Sequence, residues 1–185
     1  MTERKTIIGL VGGPGAGKDV VADYLTERYG ANSHRFATPI TDCLKRLGLE
    51  ISRDNTQKLS ILTREAFGED LYAKIMAESC SRDGSPTVIA NGIRRPADIE
   101  HLRRLNGFVL VHVSTPPEIR LERMRRRGEK AGESDLTWEK FMEQENHPTE
   151  SAIREVAAVA DVELDNSGTL ENLYRQIDAF MADHK

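Results

Sequence analysis

Residues Thr6-Ile7-Ile8-Gly9-Leu10-Val11-Gly12-Gly13-Pro14-Gly15-Ala16-Gly17-Lys18-Asp19-Val20-Val21 set an apolar run, a glycine-rich loop and the start of a helical pattern in direct succession. The run Ile7 to Val11 suits a buried parallel strand, and Val20, Val21, Tyr24 and Leu25 recur at helical spacing. Between them, Gly12 to Lys18 has the form GxxxxGK. Its glycines let the backbone curl so that successive N–H groups point into one hollow. Lys18 can reach the outer phosphates of a guest, and the following helix begins there with its positive dipole end. Gly12, Gly13, Gly15, Ala16, Gly17, Lys18, Asp19 and Val20 are therefore expected to hold a nucleoside triphosphate. Asp19 stands where a hydroxyl residue is usual in such a loop.

Outward from the loop, short apolar runs alternate with longer helical patterns. Strands are expected at Ile7 to Val11, Ser33 to Phe36, Thr87 to Ala90, Val109 to Val113 and Val162 to Leu164. Helices are expected at Lys18 to Arg28, Ile40 to Leu47, Asn55 to Phe67, Asp70 to Ser81, Pro96 to Leu105, Pro117 to Arg126, Thr137 to His147 and Leu170 to Ala182. Strands separated by helices predict an α/β domain with a parallel five-stranded sheet, the three-layer P-loop NTPase fold. Ser52, Asp54 or Asn55 could cap the third helix, and Pro96 and Pro117 suit first helical turns. The stretch Arg127 to Leu136, with two glycines and mixed charge, is the candidate mobile loop, giving a lid over about 120–136 within a single domain spanning 1–185.

The 185 residues are 38% hydrophobic and 30% charged with a net charge of -4, which argues against a general nucleic-acid or anionic-membrane binder. Any basic site must be local. Cys43 and Cys80 lack metal spacing and read as free thiols of a reducing, cytoplasmic compartment. No signal peptide or membrane-length apolar run is apparent. His34, His101, His112, His147 and His184 show no ligand spacing, and Trp138 reads as a packing residue.

A second group of residues bears on the metal. Val88-Ile89-Ala90-Asn91-Gly92-Ile93-Arg94-Arg95-Pro96 is an apolar strand ending where an aspartate normally holds magnesium through bound water. Asp19 adds a negative charge where a hydroxyl is usual and Asn91 removes one, so the formal charge around the metal is unchanged. This predicts Asp19 as a magnesium ligand and Asn91 as the group orienting a coordinated water; Asn91 could instead cap a turn. Arg123 and Arg127 stand four apart on one helical face and suit a lid closing over a migrating phosphoryl group. Arg120, Arg125 and Arg126 read as a solvated face, with Glu118, Glu122 and Glu129 as partners. Arg64, Arg94 and Arg95 are acceptor-pocket candidates, with Arg53 a weaker one, although each could serve only a surface ion pair. Asn166, Ser167 and Gly168 could form a base-binding loop, or Ser167 or Thr169 could simply cap the last helix.

Together the loop with Lys18-Asp19, the strand ending Asn91-Gly92-Ile93-Arg94, the Arg123/Arg127 pair and the Ala160-Asp161…Asn166-Ser167-Gly168 turn resemble the nucleoside and deoxynucleoside monophosphate kinase group. The pattern is similar to adenylate-kinase-related proteins and phage-type deoxynucleotide kinases, some of which carry Gly-Lys-Asp. The resemblance implies ATP as donor, Mg2+ as cofactor, small-molecule nucleotide substrates, Arg123 near adenine, Arg127 on phosphate, and adenine contact from Asn166 to Gly168. The expected activity is transfer of the γ-phosphoryl group to a nucleoside or deoxynucleoside monophosphate. Dephospho-coenzyme A kinase is the nearest enzyme alternative. Its hydroxyl acceptor profits from a base that Arg35-Phe36-Ala37-Thr38-Pro39 does not supply, though Asp42 keeps it open. A regulatory nucleotide-binding ATPase without an acceptor is the alternative from another class.

Overall fold

The computed structural model describes residues 5–128 and 133–184. Five strands form one sheet: β1 (Thr6–Val11), β2 (Asn32–Arg35), β3 (Thr87–Asn91), β4 (Phe108–Ser114) and β5 (Val162–Asp165). Their order is β2-β3-β1-β4-β5 and every pairing is parallel. Parallel strands need crossovers, and the helices supply them: α1 (Lys18–Tyr29), α2 (Thr38–Arg46), α3 (Arg53–Phe67), α4 (Leu71–Arg82), α5 (Pro96–Ile99), α6 (Pro117–Arg127), α7 (Trp138–Glu145), α8 (Pro148–Ala157) and α9 (Leu170–Asp183).

Side chains alternate across a strand, so the sheet carries two separate cores. Ile7, Val11, Val88, Ala90 and Leu110 pack with Leu44, Met76, Ile153 and Val156, which puts α2, α4 and α8 on one face. Ile8, Leu10, Ile89, Val111 and Val113 pack with Leu25, Leu173 and Ile177, which puts α1 and α9 on the other. The three-layer parallel architecture read from the sequence is the observed one. With β1 at the centre, the loop after it opens between the carboxyl ends of β3 and β4, where open α/β sheets place their ligands.

Local expectations needed two corrections, and one open alternative was decided. Pro96 to Leu105 is not one helix: α5 stops at Ile99, and a 3-10 turn covers Leu102–Arg104. The last helix is capped by Thr169, whose side chain accepts from the Asn172 N–H. Ser167 instead donates its N–H to Asp165 Oδ1, 2.9 Å away. Helix α8 was not anticipated, although Pro148 opens it as Pro117 opens α6, and Ile153, Val156 and Ala157 follow helical spacing. Of the expected lid, Glu129 and the rest of 129–132 lie outside the described residues. The described part has its own small core of Leu121, Met124, Leu136 and Phe141 joining α6 to α7. No described helix is long and apolar enough to cross a membrane.

Candidate functional site

The loop after β1 leads into α1 through Gly17, which adopts a left-handed conformation (φ 95°) and offers no side-chain cap. The first amides of α1 are thus left for a ligand. Only glycine fits here twice over: the dihedral favours it, and a Cβ would meet the Asn166 amide. A Cβ on Gly13 would likewise meet the Arg120 guanidinium. Lys18 folds over this loop and donates to Gly12 O at 2.6 Å and Gly13 O at 3.2 Å. Burial first, and then the positive charge of Arg94, push its ammonium down to about 8, against the pull of Asp19 and Glu150. Ala16 is buried, and Val20 turns its side chain against the sheet core.

Asp19 and Asn91, the two exchanged positions, are in contact: Asn91 Nδ2 donates to Asp19 Oδ1 at 3.1 Å. Asn91 is buried at the end of β3, whereas Asp19 is 62% exposed and also accepts from Arg35 Nη2 at 3.2 Å. Arg35 was not singled out in the sequence, because only the pairing of β2 with β3 carries it to the loop. Among the described residues no cage of three or more His, Cys, Asp or Glu gathers. A divalent ion would draw on the Asp19 carboxylate, the Asn91 amide oxygen after rotation of that amide, phosphate oxygens and water. Those are the donors magnesium takes, so the residues fit it.

The three acceptor candidates have different surroundings. Arg64 is buried in α3, paired with Asp98 at 3.4 Å, donating to Glu69 O and lying 4.9 Å from the centre of the Tyr72 ring. Arg95 pairs with Glu69 at 2.9 Å. Arg94 is exposed, and its guanidinium makes no hydrogen bond or ion pair with any described residue. Asp98 holds it in place by accepting from the Arg94 and Arg95 N–H groups, each at 3.0 Å. Arg64 is thus held in the buried scaffold under this turn, Arg95 shares a surface ion pair, and Arg94 has neither constraint among the described residues.

The lid arginines also differ. Arg123 donates to Asn166 O at 2.9 Å, while its Nη1 and the buried Asn166 Oδ1 have no partner among the described residues. Asn166 Nδ2 ties the turn to Ala16 O at 2.8 Å. The structure thus joins Arg123 to the Asn166 turn; Ser167 and Gly168 are exposed beside it. Arg127 pairs with Glu133 at 3.1 Å. Arg120, read as part of a solvated face, is buried instead. It donates to Thr115 O at 3.2 Å and Pro14 O at 3.4 Å and forms a two-pronged pair with Glu145 of α7. The reason is its helical position: it points inward under the loop, while Arg125 and Arg126 are exposed around the helix.

Helix α8 brings in a carboxylate the sequence did not suggest. Glu150 lies in its first turn, within electrostatic range of Lys18, Arg94 and Arg120. Burial raises its carboxyl above the ordinary value, the Glu145 carboxylate adds to this, and the three cations oppose it. A cleft of about 420 Å³ opens between Gly13, Ala16, Thr115, Arg120, Glu145 and Glu150.

Comparison with known proteins agrees with this fold. An AAA domain family model matches residues 8–152. A UPF0200 protein of Aeropyrum pernix is 30% identical over 170 residues, 91% of this chain and 88% of that protein. Among solved structures, TT1252 from Thermus thermophilus superposes with a TM-score of 0.65 at 23% identity, covering 98% of this chain and 99% of that one. Shikimate kinase from Acinetobacter baumannii, in complex with shikimate, gives 0.58 at 21% identity, covering 99% and 96%. At these identities the two structures speak for the fold alone.

Proposed function

The chain belongs to the AAA domain family, and we propose that it is a magnesium-dependent phosphotransferase carrying the γ-phosphoryl group of ATP to a small nucleotide-like acceptor. One observation carries the reading: the half-buried loop lysine feels the charge of Arg94, an arginine at the carboxyl end of β3 whose guanidinium has no hydrogen-bond or ion-pair partner among the described residues. A switch that only bound ATP would have no use for a second, unneutralised cation aimed at the same place.

In this reading the N–H groups of Gly13 and of Gly15 to Val20 and the Lys18 ammonium hold the β- and γ-phosphates. Lys18 exchanges its two loop carbonyls for phosphate oxygens. Magnesium bound through Asp19 and Asn91 would neutralise charge on the phosphates. Arg94 anchors the acceptor, while Arg123 and Arg127 surround the donor, Arg123 from the Asn166 turn. The unpartnered Arg123 Nη1 and Asn166 Oδ1 offer one donor and one acceptor to a base edge. Positioning and electrostatic stabilisation then supply most of the rate.

The acceptor has two readings. A nucleoside or deoxynucleoside monophosphate follows from the resemblance and needs no general base. A hydroxyl acceptor, of the dephospho-coenzyme A type, would draw on Glu150, half-buried at the edge of the cleft, as its base. Purified protein with ATP and magnesium, offered nucleoside monophosphates, deoxynucleoside monophosphates and dephospho-coenzyme A, tests the proposal. Acceptor-dependent ADP formation, lost in Lys18→Ala, is the expected result. Slow hydrolysis indifferent to every acceptor would establish the regulatory ATPase instead.

A further inference from the structure

Glu150 stands apart from the other carboxylates around the loop. Glu145 is committed to Arg120, Asp98 to Arg64, Glu69 to Arg95 and Asp19 to Arg35 and Asn91. The Glu150 carboxylate makes no hydrogen bond or ion pair with any described residue, although it is half-buried and borders the cleft at Gly13. Three cations from three different elements lie within electrostatic range of it: Lys18 of α1, Arg94 of the turn after β3, and Arg120 of α6, which borders the same cleft. Glu145 of α7 is the anion facing it. Arg154, one turn on in α8, is occupied with Glu145 O at 2.6 Å. An acid in such a ring of cations is ordinarily consumed by an ion pair, and this one is left over.

We infer that Glu150 is the proton acceptor for a hydroxyl nucleophile, so that the group phosphorylated is an alcohol and not a phosphate. The inference rests on the phosphotransferase reading above and specifies its acceptor. The acceptor hydroxyl oxygen forms a bond to the γ-phosphorus. The bond from that phosphorus to the β–γ bridging oxygen breaks, its electron pair leaving on ADP, and the hydroxyl proton passes to the Glu150 carboxylate. A monophosphate oxygen is already an anionic nucleophile with no proton to lose, and a carboxylate beside it would repel it. A hydroxyl gains from a base, and burial makes this carboxylate more basic than an exposed one. Lys18 remains available to the transferring phosphoryl group, and Arg94, whose charge also reaches Glu150, to the acceptor.

The test is ATP and magnesium with adenosine, deoxyadenosine and dephospho-coenzyme A as hydroxyl acceptors, and AMP and dAMP as phosphate acceptors, the products read by phosphorus NMR. The expected product is a phosphomonoester. Glu150→Gln should lower kcat by roughly 100-fold or more while ATP affinity and thermal melting stay near those of the wild type. Wild-type kcat should fall at low pH as Glu150 is protonated, and that limb should vanish in the variant, with Glu150→Asp restoring part of both. A new phosphoanhydride as the sole product overturns the inference, as does a Glu150→Gln enzyme that keeps its kcat within tenfold or retains the acid limb. Transfer by the wild type that is indifferent to Glu150 leaves the phosphotransferase reading standing. No transfer by the wild type to any acceptor removes that reading, and this inference with it.

Discussion

Removing Glu145 should unbalance the floor of the phosphate loop. Arg120 is 7% exposed, and its two terminal nitrogens face the two Glu145 oxygens, one pair at 2.9 Å. Deleting one partner of a buried pair strands the other charge, which costs about 3–5 kcal/mol. Arg120 would keep Thr115 O at 3.2 Å, Pro14 O at 3.4 Å and the Phe141 ring at 5.3 Å, so the lower end applies. Glu145→Ala should therefore lose about 3 kcal/mol. At this chain length that is a fall in melting temperature of about 6–12 °C. Urea unfolding followed by circular dichroism measures the first quantity and a thermal scan the second. The double variant Glu145→Ala, Arg120→Met should recover part of the loss, because it removes the stranded charge and leaves an apolar side chain against Phe141. A single-variant cost below about 1 kcal/mol, in the range of exposed pairs, would refute the reasoning. So would a double variant less stable than Glu145→Ala.

Three further outcomes are expected. Asp19→Ala should raise the magnesium concentration needed for half-maximal turnover at least tenfold, and an unchanged requirement would remove Asp19 from the metal site. Arg94→Ala should raise the acceptor KM about tenfold or more, as expected for loss of a charge-assisted contact, and leave ATP affinity within about twofold; a selective loss of ATP affinity would reassign it to the donor side. Asp83 is the third case. Burial would raise its carboxyl, but hydrogen bonds from the Ser85 N–H, His34 and Asn32 outweigh that and hold it down to about 2. Its unfolded value lies higher, so it contributes about 2 kcal/mol, present above the unfolded value and lost as pH falls through about 2. Asp83→Asn should be less stable than the wild type at pH 7 by up to that amount, with the gap closing toward pH 2. A gap constant with pH would count against it.

The legible part of the site was whatever short-range pattern encodes. The turn from strand to glycine loop to helix is local, so Gly12 to Val20 were placed by residue type alone. The caps at Ser52 and Thr137 form as the short-range chemistry dictates, each side-chain oxygen accepting an N–H three residues on. Helix α8 was legible too, since Pro148 and the spacing of Ile153, Val156 and Ala157 carry the same signals as the helices that were found. Arg120 was less so: an arginine in a run of arginines shows its burial only when α7 supplies Glu145 twenty-five residues later.

By itself, the sequence determined the class of fold and the loop at its centre, because hydrophobic periodicity and glycine content act within a few residues of chain. It also raised the exchange of charge between Asp19 and Asn91. Only tertiary structure decided that these two touch, seventy-two residues apart, through the parallel pairing of β1 with β3. It also decided that Arg64 is buried against Asp98 and Arg95 paired with Glu69 while Arg94 has no such partner among the described residues, and that Glu150 lies within electrostatic range of Lys18. Those outcomes depend on which charged residues the packing of the layers brings side by side, which does not follow from the order of residues along any one element.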